Sequence, residues 1–182
     1  MQAVNLSELY AVEKAASIVK ANYHAALALE NLEVVVLTGD GNCLFRGISY
    51  CLYGDVARHA EVRKQVVDYM RDEVNGFSER FDQFKIGIDE LEEFEEFKNQ
   101  NVAVGGKTEF QAYLRFMGAS QVWGSDMEVA AASELFNRQI IIYNYNPATQ
   151  SVFYYPIDDS NHEIIRLDRS SPIHFDLIVE SN

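Results

Sequence analysis

Cysteine is scarce in this chain: of 182 residues only Cys43 and Cys51 carry a thiol. That excludes a disulfide framework and points to a reducing compartment, the cytosol. Nowhere does a run of about 18 apolar residues occur, so no transmembrane helix is expected. The first residues lack a basic stretch followed by an apolar one, so no secretory signal is expected. Basic charge is also short. Fifteen Lys and Arg face 28 Asp and Glu, a formal net charge of -13. Such a chain repels phosphates, which excludes non-specific nucleic-acid binding and leaves a basic partner open. No Cys/His cluster has metal-ligand spacing, and no Gly-rich loop follows a strand in a dinucleotide or phosphate-loop pattern. Neither metal nor cofactor is therefore expected. Repeats and low-complexity linkers are missing too.

What is present is a composition 48% hydrophobic, enough for one core without cross-links. Leu32–Leu37 is a short β-branched run and reads as a strand. From Leu44 to Tyr53 the residues are apolar helix formers. Between them, Gly39, Asp40, Gly41 and Asn42 suit tight or left-handed turns. Cys43 thus falls at a helix N-terminus, where unpaired N–H groups and the helix dipole favour the thiolate and can hold an oxyanion. Late in the chain, the alternation of Ile173-His174-Phe175-Asp176-Leu177 puts His174 and Asp176 on one face of a strand. An imidazole and a carboxylate so placed can hydrogen-bond, the carboxylate fixing the tautomer. Nucleophile, base and orienter are available in the order Cys, His, Asp.

The remaining elements follow from periodicity and turn chemistry. Ser7–Glu30 reads as an amphipathic helix with Leu9, Val12, Ala16, Val19, Tyr23 and Leu27 on one side. Arg58–Asn75 reads as a second, with Val62, Val66, Val67, Met70 and Val74 inward and Gly76 as its stop. Ile88–Asn99 is an acidic helix with Leu91, Phe94 and Phe97 as its apolar stripe, broken by Gly105-Gly106. Its run Asp89–Glu96 reads as a solvated face or as a partner-facing surface. Thr108 and Ser125 each open a helix with a capping box, the second ending near Asn137. Strands are expected at Gln139–Tyr145, Ser151–Pro156, Glu163–Leu167 and His174–Glu180, with a hairpin turn at Asn146–Thr149. The class is α+β, a small central and mostly antiparallel sheet between helical layers. Residues 1–31 form a helical extension packed on a domain of residues 32–182.

Asp40-Gly41-Asn42-Cys43-Leu44-Phe45-Arg46 resembles the nucleophile motif of the ovarian-tumour (OTU) family of cysteine proteases, which are deubiquitinases. His174-Phe175-Asp176 is similar to the family's His-aromatic-Asp/Asn segment. Tyr113, Met117 and Trp123-Gly124-Ser125-Asp126-Met127-Glu128-Val129 are similar to its third block, in the family's order. The resemblance covers roughly residues 33–180. It implies the OTU fold, a Cys43–His174–Asp176 triad, and ubiquitin, polyubiquitin or a ubiquitin-like modifier as partner of a monomeric enzyme. The expected chemistry is hydrolysis of the bond between the modifier's C-terminal glycine and a lysine. The alternative is an OTU-fold module that binds ubiquitin without cutting it. Asp40 either shapes the loop or serves as a second orienter. Gly41 and Asn42 belong to the oxyanion loop, Asn42 as donor or merely as a turn former. Trp123 and Phe175 border the groove for the substrate tail, and Glu128 caps a helix. Cys51 reads as a packing residue. His24, His59 and His162 read as bystanders, with His162 the runner-up base.

Overall fold

The computed structural model describes residues 19–89, 92–100, 109–146, 149–155, 163–171 and 174–181. The expected helix caps at Ser7 and Thr108, the Gly105-Gly106 break, the hairpin tip at Pro147 and Ala148, and His162 lie outside these residues.

A five-stranded sheet organises the chain, in the order β1-β5-β4-β2-β3. Its strands are β1 (Leu32–Val35), β2 (Gln139–Asn146), β3 (Thr149–Tyr155), β4 (Ile164–Ser171) and β5 (His174–Glu180). Every pairing is antiparallel except β2 with β4. The mostly antiparallel α+β arrangement read from the sequence is therefore borne out. Alternation along β5 sorts its side chains. Phe175 and Leu177 enter the main core, whereas Ile178 joins a small cluster on the opposite face.

The main core is covered by α2 (Cys43–Tyr53), α3 (His59–Arg71), α4 (Phe77–Asp89), α5 (Glu92–Gln100), α6 (Glu109–Met117) and α7 (Asp126–Phe136). Its centre is a chain of aromatic contacts, Phe81 to Phe110 and Tyr113, Tyr113 to Phe94, and Phe94 to Phe116, with ring centroids 5.3–5.5 Å apart. Residues 19–29 are helical (α1) and lie on the other sheet face. There Leu27 packs with Leu32 and Ile178.

Four sequence expectations need correction. The second helix stops at Arg71, not Asn75, because Asp72 is extended and its side chain accepts from the Val74 N–H, opening a separate 3-10 turn. Val74, expected inside, is 90% exposed. Phe77–Asp89, unassigned from sequence up to Gly87, is a full helix that takes in Ile88 and Asp89, so the acidic helix expected from Ile88 is described from Glu92. Finally, β1 ends at Val35 instead of Leu37. The Leu37 N–H leaves the ladder and donates to Asp176 Oδ1 at 2.8 Å. In the acidic run, Phe94 is buried while Glu93, Glu95 and Glu96 are exposed.

Candidate active site

Cys43 is the first residue of α2. No side chain caps that helix, because the Asn42 amide is used elsewhere. The first-turn N–H groups of Cys43 and Leu44 therefore remain near the thiol, and Phe175 N–H donates to Sγ at 3.4 Å. Burial nonetheless outweighs these donors and pushes the thiol above its ordinary pKa. The helix terminus favours the thiolate as expected, but Cys43 is only 1% exposed and burial works against it. Cys51 is likewise pushed up, to about 11, by burial, as fits a packing residue.

On β5, His174 Nε2 and Asp176 Oδ1 are 2.8 Å apart. The same carboxylate oxygen accepts from Leu37 N–H, so the end of β1 fixes the carboxylate that fixes the imidazole. Nδ1 is the ring nitrogen left for chemistry. Gly39 lies against that side of the ring: a Cβ there would sit 3.5 Å from Nδ1 and 3.8 Å from Trp123 Cη2. Trp123 meets the imidazole edge-on, with centroids 6.1 Å apart. Phe175, expected to border the substrate groove, instead points into the core, 1% exposed, because alternation on β5 turns it from the His174 side, and only its backbone N–H meets the thiol.

Asp40 is committed to the loop. Its carboxylate pairs with Arg46, Nη2 reaching Oδ2 at 2.8 Å, and accepts from Asn42 N–H at 3.1 Å. The Arg46 guanidinium holds its pKa well below the usual carboxylate range. Of the two roles open from sequence, the geometry favours loop shaping, since the orienter position beside His174 is taken by Asp176. A depressed folded-state pKa means the pair contributes stability above the unfolded value, about pH 4, and loses it as pH falls through the folded value. Asp40→Asn should therefore melt earlier than the parent at pH 7, and the gap should close as the pH is lowered below about 4. A gap independent of pH would show that the pair contributes no linkage.

The loop rests on a residue that sequence reasoning missed. Arg63, 3% exposed, donates to Gly41 O at 2.8 Å, Asn42 Oδ1 at 3.0 Å, Val122 O at 2.7 Å and Met117 O at 3.0 Å. Its guanidinium lies 4.0 Å over the Phe45 ring. Burial lowers its pKa to about 10. Gln121 N–H adds a bond to Asn42 Oδ1 at 3.1 Å. Gly41 sits at φ 79°, and a Cβ there would collide with Gln121 O at 2.0 Å. Asn42 is therefore a brace whose N–H and side chain are both engaged. The third motif supplies the wall behind. Tyr113 Oη donates to Glu128 at 2.9 Å, and Glu128 completes a capping box with Ser125 at the start of α7. A signal for Arg63 did exist: Arg63, Val67 and Met70 recur at helical spacing on the apolar stripe, where an arginine needs buried acceptors.

Among the other histidines, His24 is exposed on α1 and His59 lies at the start of α3. Among the described residues, no group of three or more His, Cys, Asp or Glu is placed to hold a metal ion.

This geometry agrees with comparisons to known proteins. Residues 38–166 match the family of OTU-like cysteine proteases. The chain is 28% identical over 124 residues to OVARIAN TUMOR DOMAIN-containing deubiquitinating enzyme 6 of Arabidopsis thaliana, covering 68% of this chain and 20% of that protein. It is 25% identical over 147 residues to OTU domain-containing protein 5 of Homo sapiens, covering 79% and 21% respectively. The chain thus spans about a fifth of the length of these curated relatives. The solved OTU domain of OTUD1 has the same fold, with a TM-score of 0.63 at 22% identity over 86% of this chain and 91% of that one. The Hazara virus OTU bound to ubiquitin follows at 0.53 and 16%, over 83% and 82%. With the family match running from the loop before Cys43 into β4, the chain belongs to the OTU-like cysteine proteases.

Proposed function

We propose that this chain is a deubiquitinating thiol isopeptidase, cleaving ubiquitin or a ubiquitin-like modifier from lysine side chains. The observation that carries this reading is the convergence of groups from two distant parts of the chain, the start of α2 and the start of β5. Cys43 sits in the first turn of α2, Phe175 N–H reaches its sulfur, and His174 on the same strand is held by Asp176. Relatives named as deubiquitinating enzymes and a neighbour solved with ubiquitin support the substrate class.

His174 Nδ1 takes the thiol proton as the substrate carbonyl arrives, and the sulfur attacks the carbonyl of the modifier's last glycine. Asp176 stabilises the imidazolium through Nε2. The Gly41 and Cys43 N–H groups hold the oxyanion, because the Asn42 N–H is spent on Asp40. The imidazolium then gives its proton to the departing lysine amine, leaving a thioester. Water, deprotonated by His174, attacks the thioester and releases a carboxylate and the free thiol. Gly39 and Trp123 border the imidazole, where the thin tail would enter. We place the reaction in the cytosol and in a monomer, without cofactor.

Ubiquitin carrying a C-terminal electrophile tests the proposal. The expected result is one covalent adduct on Cys43, seen by intact mass and absent in Cys43→Ala. Reversible binding without an adduct would instead support a ubiquitin-binding module. No interaction at all would turn the reading toward a thiol protease acting on other peptides.

A further inference from the structure

The face of the sheet that carries the imidazole and its carboxylate is the face that α1 covers. By alternation His174, Asp176 and Ile178 project to one side of β5, and Ile178 packs with Leu27 of α1. On the neighbouring strand Asp168 stands directly opposite Asp176. Both carboxylates are buried, Asp168 at 3% and Asp176 at 7% exposure. Opposed side chains of this kind have Cβ atoms about 4.5–5.5 Å apart, close enough for like charges to repel. Two buried carboxylates so placed tend to share one proton unless each has its own donors. Asp176 has the Leu37 N–H and His174. For Asp168, one donor comes from α1: Tyr23 Oη gives a hydrogen bond to Oδ1 at 2.6 Å.

We infer that Tyr23 is a positioning residue for catalysis, its hydroxyl keeping Asp168 ionised so that Asp176 stays an undivided partner of His174. The inference rests on the reading above that Cys43, His174 and Asp176 act together. Tyr23 precedes the residues matched to the family, so α1 brings to the site something the matched segment does not supply. Without the hydroxyl, Asp168 would lose this donor, hold a proton more readily and share it with Asp176. The Asp176 oxygen would then be a poorer acceptor for Nε2–H, and the imidazole would drift toward the other tautomer. Among the described residues, the groups facing the pair include Tyr23 from α1, Tyr143 from β2 in register with Asp168, the Leu37 N–H beyond β1, and His174 from β5 itself. Burial and the Asp168 carboxylate push the Tyr23 hydroxyl far above its ordinary pKa, so it remains a donor throughout the working range.

Nuclear magnetic resonance of the ¹⁵N-histidine-labelled full chain reads the tautomer directly, with the His174 signals assigned by their loss in His174→Gln. The parent should show one tautomer, protonated at Nε2. Tyr23→Phe should show a mixture, with kcat on a ubiquitin substrate lowered about three- to tenfold, the weight of one hydrogen bond, and KM within about twofold. In an Asp176→Asn background, Tyr23→Phe should cause no further loss. Leu27→Ala weakens α1 but keeps the hydroxyl. It should lower the melting temperature and leave the tautomer ratio at the parental value. A parental tautomer and kcat in Tyr23→Phe, or a tautomer shift in Leu27→Ala alone, would overturn the inference. The ring signals come from folded molecules, so a less stable variant still decides it. A parent that cleaves no ubiquitin substrate would overturn the proposed function, and the tautomer comparison would still stand on its own.

Discussion

Cys43→Ala is expected to lower isopeptidase turnover on the order of 10³-fold or more, with little change in fold. The residue opens α2, where Ala is a favourable substitute, and the main loss is the acceptor for Phe175 N–H. That donor would be left short in a buried setting, so a modest fall in melting temperature should accompany the kinetic loss. His174→Ala should match Cys43→Ala in rate. The double variant should be no slower than either, because nucleophile and base act as a unit. Additive losses would mean that the two groups are not one unit. Asp176→Asn should cost less, about 10–10³-fold, since it orients and does not react. Steady-state rates on a fluorogenic ubiquitin substrate, beside the same assay for Cys51→Ala, check all four variants. Cys51→Ala should keep most activity.

The largest effect on stability is expected at Arg63. Its guanidinium ties Gly41, Asn42, Met117 and Val122 together inside the protein. Arg63→Ala would leave these acceptors facing a cavity. Unsatisfied buried polar groups cost about 1–3 kcal/mol each, and partial rescue by entering water brings the total to at least about 3 kcal/mol. For a chain of this length that corresponds to a fall in melting temperature on the order of 10 °C. Arg63→Lys should recover only part of the loss, because an ammonium cannot span acceptors arranged around a planar fork. Molecules of Arg63→Lys that remain folded should bind substrate nearly as the parent does but turn over slowly, since the oxyanion loop is what the fork holds. A loss confined to KM would assign Arg63 to substrate binding instead.

How legible this site was depends on how local its parts are. The turn before Cys43, the spacing of His174 and Asp176, and the Ser125 capping box are each written within a few residues, and each is found where it was read. The missed α4 had a signal too, with Phe77, Phe81 and Phe84 at helical spacing directly after Gly76. The end of β1 was not legible, because Leu37 turns away to serve a carboxylate late in the chain. Asn42 looked free to donate, and only the fold shows both of its groups engaged. Tyr23 and Asp168 are separated by 145 positions, and no local pattern couples them. Apart from the Asn42 N–H, which bonds to Asp40 two residues back, each of these polar groups was settled by a distant partner, and single-sequence periodicity records only apolar spacing.

The strand that carries His174 also lies between β1 and β4 and hydrogen-bonds to both. Until it is made and inserted, β1 has no neighbour in the sheet, and the cysteine is a thiol on a helix with no base in reach. Ribosomal synthesis delivers β1 and α2 well before β5, so Cys43 exists in the nascent chain before the base proposed for it. Closing so long a loop is entropically slow, which puts the gain of activity among the late events of folding. The topology thereby ties the meeting of Cys43 and His174 to the closing of the sheet by its central strand β5.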